Sequence, residues 1–64
     1  MRLTDFWLRM ETVFGAGYAR SFASDFVLAE LGGRTVAQAL EAGDDPKLVW
    51  RAVCEAREVP AAQR

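Results

Sequence analysis

The segment Ser24–Gly33 most constrains how this chain can fold, because several large apolar residues crowd into it. Wound as a helix at about 100° per residue, Phe26, Val27, Leu28 and Leu31 would point in nearly every direction around the helix axis. No single side of such a helix can be left in water, so other parts of the chain must cover it. We therefore expect these four side chains to form the centre of the core.

The length of the chain limits what can surround that segment. Its 64 residues allow one domain, close to the lower limit at which a core without disulfides or metal ions holds a chain folded. A composition of 52% hydrophobic and 11% aromatic residues is too apolar for a disordered segment of this size. Eight Lys and Arg oppose nine Asp and Glu, giving a net charge of −1, so the overall charge indicates no polyanionic partner.

The residue content disfavours catalysis. The chain has no histidine, which removes the usual general base and the commonest metal ligand. Cys54 is the one cysteine, and its place beside an apolar helical face indicates an inert core residue. Asp44 and Asp45 are explained as caps of the helix that follows them. The sequence therefore predicts no catalytic residue, no metal site and no cofactor.

The first predicted helix runs from Thr4 to Phe14, with Thr4 as its N-cap and Gly15 as its stop. Leu8 is the one large apolar residue outside its apolar stripe. That stripe consists of Leu3, Phe6, Trp7, Met10, Val13 and Phe14. Because the polar face is not rich in Lys or Arg, we assign the stripe to a protein core and not to a lipid surface.

The second predicted helix runs from about Tyr18 to Leu31, and Gly32–Gly33 ends it. Its first half is mostly polar or small, whereas its second half is the apolar segment described above. Ser24 and Asp25 are also suitable caps, so a break at that point is the alternative to one continuous helix.

Two further helices are predicted in the second half of the chain. Thr35 is placed to cap a short helix from Val36 to Ala42. Asp45 followed by Pro46 predicts the cap and first residue of a last helix that runs to about Arg57. The residues of this last helix that we expect to face inward are Leu48, Val49, Ala52, Val53 and Ala56.

The last two predicted helices, joined by a turn that contains Gly43, partly match a helix-turn-helix. Asp44 departs from that pattern, in which an apolar residue usually follows the glycine. Lys47 and Arg51 are the candidate DNA contacts on the exposed face of the last helix. A pair of glutamates further along the same face balances their charge, whereas DNA affinity depends on uncompensated cations.

Trp50 lies at the edge of the apolar arc of the last helix, which leaves two interpretations open. The indole can fold over the rim of the core, or it can stand partly exposed as the anchor of a contact with another protein. Tryptophan and arginine are enriched at the hot spots of protein interfaces. The candidate partner contacts are therefore Trp50, Arg51, Arg57 and Leu8.

Three parts of the sequence resemble a family of short actinobacterial proteins that is catalogued only as a domain of unknown function. These parts are Met1–Trp7, Leu28–Val36, and Val49–Glu55 with Val59–Pro60 after it. The resemblance spans nearly the whole chain and implies a complete, stand-alone, cytoplasmic bacterial protein. It implies no activity, cofactor or catalytic residue.

We therefore expect an all-α fold of three longer helices and one short helix, with a partly helix-turn-helix-like C-terminal half. Residues 1–60 should form the single domain and residues 61–64 a frayed tail. The expected function is a non-catalytic protein-interaction or regulatory module, and the alternative is a helix-turn-helix DNA-binding protein. The expected partner is another protein. A membrane partner is not expected, because no apolar run approaches the ~20 residues that a spanning helix needs.

Overall fold

The structure, a computed structural model, describes all 64 residues of the chain. In chain order the elements are helix α1 (Leu3–Phe14), helix α2 (Ala16–Asp25), strand β1 (Val27–Leu28), a first 3-10 turn (Ala29–Leu31), strand β2 (Arg34–Thr35), helix α3 (Val36–Glu41), helix α4 (Pro46–Arg57) and a second 3-10 turn (Ala61–Gln63). The prediction of a small, mostly helical domain with three longer helices and one short helix is confirmed. The prediction of a purely all-α fold is wrong, because β1 and β2 form a two-stranded antiparallel sheet.

The apolar segment after Asp25 is not the helix that the sequence analysis expects. Helix α2 ends at Asp25, and Phe26 adopts an extended backbone with φ −96° and ψ 122°. Because side chains alternate across an extended strand, Leu28 points into the core and Val27 points into solvent. Their exposed fractions are 7% and 62%. The alternative break at Ser24 and Asp25 is therefore the one that the structure adopts.

The hairpin between β1 and β2 changes which of the four crowded apolar side chains are buried. Leu28 and Leu31 lie in the core, whereas Phe26 is 42% exposed and Val27 is more exposed still. The prediction that all four form the centre of the core is thus wrong for two of them. Gly32–Gly33 has positive φ angles of 68° and 81°, which other residues rarely adopt, and turns the chain between the two strands.

Helix α1 agrees with its prediction at its C-terminal end. Gly15, with φ 87°, is the only residue between α1 and α2. Thr4 lies inside the first turn and makes no cap, contrary to the prediction, and Leu3 is exposed although the pattern places it in the apolar stripe. The fully buried residues of α1 are Phe6 and Met10.

The predicted starts of α3 and α4 are confirmed by their capping hydrogen bonds. The Gln38 backbone N–H donates to Thr35 Oγ1 at 3.1 Å, and the Thr35 N–H donates to Gln38 Oε1 at 2.9 Å, which forms a capping box. The Lys47 N–H donates to the Asp45 carboxylate at 3.0 Å, and Pro46 is the first residue of α4. Caps of this kind contribute about 0.5–2 kcal/mol each.

Helix α4 supplies more of the core than any other element. Its buried residues are Val49, Trp50, Ala52, Val53 and Cys54. Leu48, which the sequence analysis places inward, is exposed. The buried side of α4 is rotated toward Trp50 because α1 packs there, with the Phe6 ring meeting the Trp50 ring edge-on at a centroid distance of 6.1 Å.

The chain after α4 lies against the domain. Glu58 adopts a left-handed backbone conformation that ends α4, and Val59 is buried directly after it. Where fraying is expected for residues 61–64, the structure has the second 3-10 turn. The Arg64 Nε–H donates to the carbonyl oxygen of Val59 at 2.8 Å, which folds the end of this segment back toward α4.

Substituting Leu28 and Val27 by alanine should have very different effects on stability. Leu28→Ala removes a buried side chain and should lower the free energy of unfolding by about 2–5 kcal/mol, a large part of what so small a domain has. Val27→Ala shortens an exposed side chain and should change that free energy by less than about 0.5 kcal/mol. Urea unfolding followed by circular dichroism measures both values, and equal losses would contradict the alternation in β1.

Candidate functional site

The candidate contact residues do not form one site. Lys47, Trp50 and Arg51 line a pocket of about 220 Å³, Arg57 lines a second pocket, and Leu8 lines a third. These three pockets share no lining residue. The structure therefore divides the candidates over three separate surfaces, each of which needs its own interpretation.

Trp50 belongs to the core. Its side chain is 4% exposed, so it offers almost no surface to a partner, contrary to the interpretation of a partly exposed anchor. The ring packs edge-on against Phe6, and the indole N–H donates to the main-chain oxygen of Arg64 at 3.2 Å. An indole that is buried along its ring and hydrogen-bonded at its nitrogen has the usual environment of a core tryptophan.

The pocket beside Trp50 is strongly basic, and we call it the basic pocket. Its lining residues are Met1, Arg9, Lys47, Trp50, Arg51, Cys54 and Arg64. Four of these are cationic, which is half of the eight Lys and Arg in the chain, and none is acidic. The one ion pair between side chains joins Arg34 to Asp44 at 2.5 Å, so no cation of the pocket is paired with an Asp or Glu side chain. The sequence analysis found Lys47 and Arg51 but not Arg9 or Arg64.

Cys54 lines the basic pocket from the core side. Burial raises the pKa of its thiol, and the nearby guanidinium groups of Arg64 and Arg9 partly oppose this rise. Glu55 raises the pKa of the thiol slightly further. The thiol is therefore protonated at neutral pH, and a protonated thiol is a poor nucleophile and a poor metal ligand.

A second surface consists of Tyr18, Phe26, Val27 and Arg57, and we call it the aromatic face. The first three are exposed apolar or aromatic side chains that lie close together in the fold, with the Tyr18 and Phe26 ring centroids 6.4 Å apart. Beneath them, the buried Phe22 ring stacks on Phe26 at 5.4 Å. The exposed rings are thus one edge of an aromatic cluster that continues into the core.

Arg57 is held against this cluster. Its guanidinium carbon lies 4.9 Å from the ring centroid of Phe22 and 4.9 Å from that of Phe26. Such cation–π contacts contribute about 0.5–1 kcal/mol each at exposed sites. They also fix the position of a long side chain, so little conformational entropy remains to be lost when a partner binds Arg57.

A groove of about 310 Å³ adjoins the aromatic face. It is lined by Phe26, Val27, Leu28, Ala29, Glu30, Ala56 and Arg57. Helix periodicity alone did not predict this groove, because it exists only when the chain after Asp25 is extended. The signals in the sequence that favour an extended chain here are the capping residues Ser24 and Asp25, noted above, and the β-branched Val27, which was not used and which favours strands over helices.

Leu8 lies on the third surface. Together with Leu3, Thr4, Trp7 and Arg20 it lines a shallow depression on α1 and α2. The Arg20 guanidinium carbon lies 3.8 Å from the centroid of the Trp7 ring and covers it. The largest apolar group of this surface is therefore already capped by a cation of the same chain, which leaves Leu8 and Leu3 as its exposed apolar side chains.

The structure shows neither a metal centre nor a membrane-crossing element. No group of three or more Cys, Asp or Glu side chains converges in the way that a metal ion requires. None of the helices combines the length and the apolar character needed to cross a bilayer.

Comparison with known proteins places the chain in a family. The family model described as "Protein of unknown function (DUF3046)" matches residues 1–62. The chain is thus a small, mostly helical domain of a kind without an assigned activity. It belongs to the DUF3046 family, and the expected membership of a family of unknown function is confirmed. No curated protein and no solved structure matches the chain.

Cys54 should react with iodoacetamide only when the domain unfolds. Burial raises the pKa of the folded thiol above that of the unfolded thiol, so the folded domain favours the protonated form. The contribution of this group to the free energy of unfolding is therefore fully present at neutral pH and is lost as the pH rises into the alkaline range. Mass spectrometry after labelling at about pH 8 should show slow modification without urea and fast modification through the unfolding transition. Equal rates in both conditions would contradict the burial of the thiol.

Proposed function

We propose that this chain is a non-catalytic protein-interaction module whose partner binds the aromatic face. The observation that supports this proposal best is the exposure of Phe26 and Val27 next to the fixed guanidinium group of Arg57. Aromatic and arginine side chains that are held in place beside a groove have the composition of interface hot spots.

The small size of the domain strengthens this argument. Burial of one large apolar side chain contributes about 1.5–3 kcal/mol to the free energy of unfolding. A small domain has few such side chains, so each one that stays exposed leaves out a large part of the stability it can reach. Scattered exposed apolar residues are normal on any protein, but Tyr18 contacts Phe26, and Phe26 and Val27 line the same groove. A patch of this kind is typical of surfaces that another protein covers.

The groove defines the chemistry of the partner. Five of its seven lining residues are hydrophobic, which suits one aliphatic or aromatic side chain, while Arg57 and Glu30 at the same groove offer one charge of each sign. We therefore propose a protein segment that inserts an apolar side chain flanked by an acidic and a basic residue. The acidic residue would pair with Arg57 and the basic residue with Glu30.

The second candidate function is a DNA-binding protein that uses α3 and α4 as a helix-turn-helix, with Lys47 and Arg51 as its DNA contacts. The presence of two further cations in the pocket that these residues line favours this alternative. Against it stand Glu55 on the same helix, Glu58 directly after it, and the use of Asp44, after the turn glycine, in an ion pair with Arg34. We rank it below the protein-interaction module for these reasons.

The proposal also includes the setting that the sequence resemblance implies. In that setting the module acts as a cytoplasmic protein of an actinobacterium. Its role there is regulatory, through the partner that it binds and not through a reaction that it catalyses.

Affinity capture from an extract of the source cells tests the proposed function. The natural chain should retain a protein partner after nuclease treatment, and Val27→Asp should reduce the amount retained by about tenfold or more, because it buries a charge in the apolar contact. Leu48→Asp is the matched control, since Leu48 is an apolar residue of similar exposure outside the groove. It should retain the partner as well as the natural chain does.

Three outcomes of this experiment would contradict the proposal. Equal retention by both variants would remove the aromatic face from the contact. Loss of the partner in both variants would indicate a general effect of added charge. Complete release by nuclease would instead favour the DNA-binding alternative.

A further inference from the structure

The basic pocket holds a concentration of charge that the proposed protein contact does not use. Arg9 comes from α1, Lys47 and Arg51 come from α4, and Arg64 follows the second 3-10 turn. The fold thus brings together cations from three distant parts of the sequence around one concave space. The aromatic face contributes no residue to it.

Two of these cations are positioned by main-chain contacts that leave most of their donors free. The Arg9 guanidinium donates to the main-chain oxygen of Arg64, and the Arg64 Nε–H donates to the carbonyl oxygen of Val59. A guanidinium group has five N–H donors, so each retains several for a ligand. The side chains of Lys47 and Arg51 make no hydrogen bond within the protein.

The surroundings of these cations make an anion favourable there. Like charges that converge repel one another, and an anion placed between them lowers this repulsion. Met1 and the buried Trp50 and Cys54 form the apolar part of the lining and lower the local polarity, which strengthens charge–charge interactions. Arg64 and Arg9 both lower the pKa of the Cys54 thiol, so their positive potential reaches this part of the pocket.

We propose that the basic pocket binds the phosphate groups of a small phosphorylated molecule. The planar guanidinium groups of Arg9, Arg51 and Arg64 match the spacing of phosphate oxygens, and Lys47 adds a further point charge. A pocket of about 220 Å³ has room for a diphosphate or for a phosphate with a small organic group. Met1, the exposed apolar residue of the lining, gives that organic group a surface to contact.

A free small ligand fits this pocket better than a nucleic acid backbone. A duplex presents a continuous row of charges and would have to pass along the exposed face of α4. Glu55 lies in α4 beyond Arg51 and Glu58 directly follows the helix, and both would repel phosphates. A compact ligand occupies the pocket without reaching them.

Titration with inorganic pyrophosphate tests this proposal, with ¹H–¹⁵N NMR spectra of the natural chain at low ionic strength. The Trp50 indole N–H, which lies at the pocket, should shift in a saturable manner. The substitutions Arg51→Gln and Lys47→Gln should each raise the Kd about tenfold, because each removes a charge-assisted contact to phosphate. Arg20→Gln removes the same charge at another pocket and should leave the Kd unchanged.

The same titration separates the other outcomes. Absence of a saturable shift up to about 10 mM pyrophosphate at low salt would overturn the proposal. An equal rise in Kd for Arg20→Gln would reduce the effect to non-specific ionic attraction and would also overturn it. Binding of a DNA duplex that Arg51→Gln and Lys47→Gln both abolish, without binding of pyrophosphate, would assign the pocket to nucleic acid and contradict the small ligand.

Discussion

The burial of α4 is the interaction on which the rest of the structure depends. Helix α1 packs on it through Phe6 and Trp50, while α3, β1 and the first 3-10 turn pack on other sides of it. In a domain of this length no second core exists that could compensate for a poorly packed helix. Because nearly half of α4 faces inward, its outward residues are the few that remain free to serve a function.

The two proposed contacts share this helix but use opposite ends of it. Lys47 and Arg51 lie in its first half, and Arg57 is its last residue. A helix of 12 residues is about 18 Å long, so the two ends are far enough apart for two ligands to be bound at once. They are also joined by a rigid, buried element. Any displacement of α4 on binding at one end would reach the other end directly.

The sequence predicted the elements whose limits are set by local chemistry. Gly15, the Thr35 capping box and the Asp45–Pro46 start lie within a few residues of the helices that they delimit, so their effects can be read without knowing the fold. The segment after Asp25 could not be predicted in this way, because a short apolar run fits a buried helix and a strand equally well. Pairing between β1 and β2 decides the matter, and that pairing is a property of the folded chain.

The candidate site residues also divide into those that local sequence indicates and those that only the folded chain brings together. Arg51 and Arg57 were found from their places on a well-predicted helix. Arg9 and Arg64 could not be assigned to a pocket from the sequence, because they meet Lys47 and Arg51 only after distant segments have come together. Likewise, Phe26 and Val27 were predicted to be buried in a helix, whereas the structure places both on the surface of an extended segment. The single residue between α1 and α2 has a different consequence. With Gly15 as their only link, these two helices meet through contacts of short sequence separation, whereas the contact between α1 and α4 closes a loop of more than half the chain and is the slower one to form.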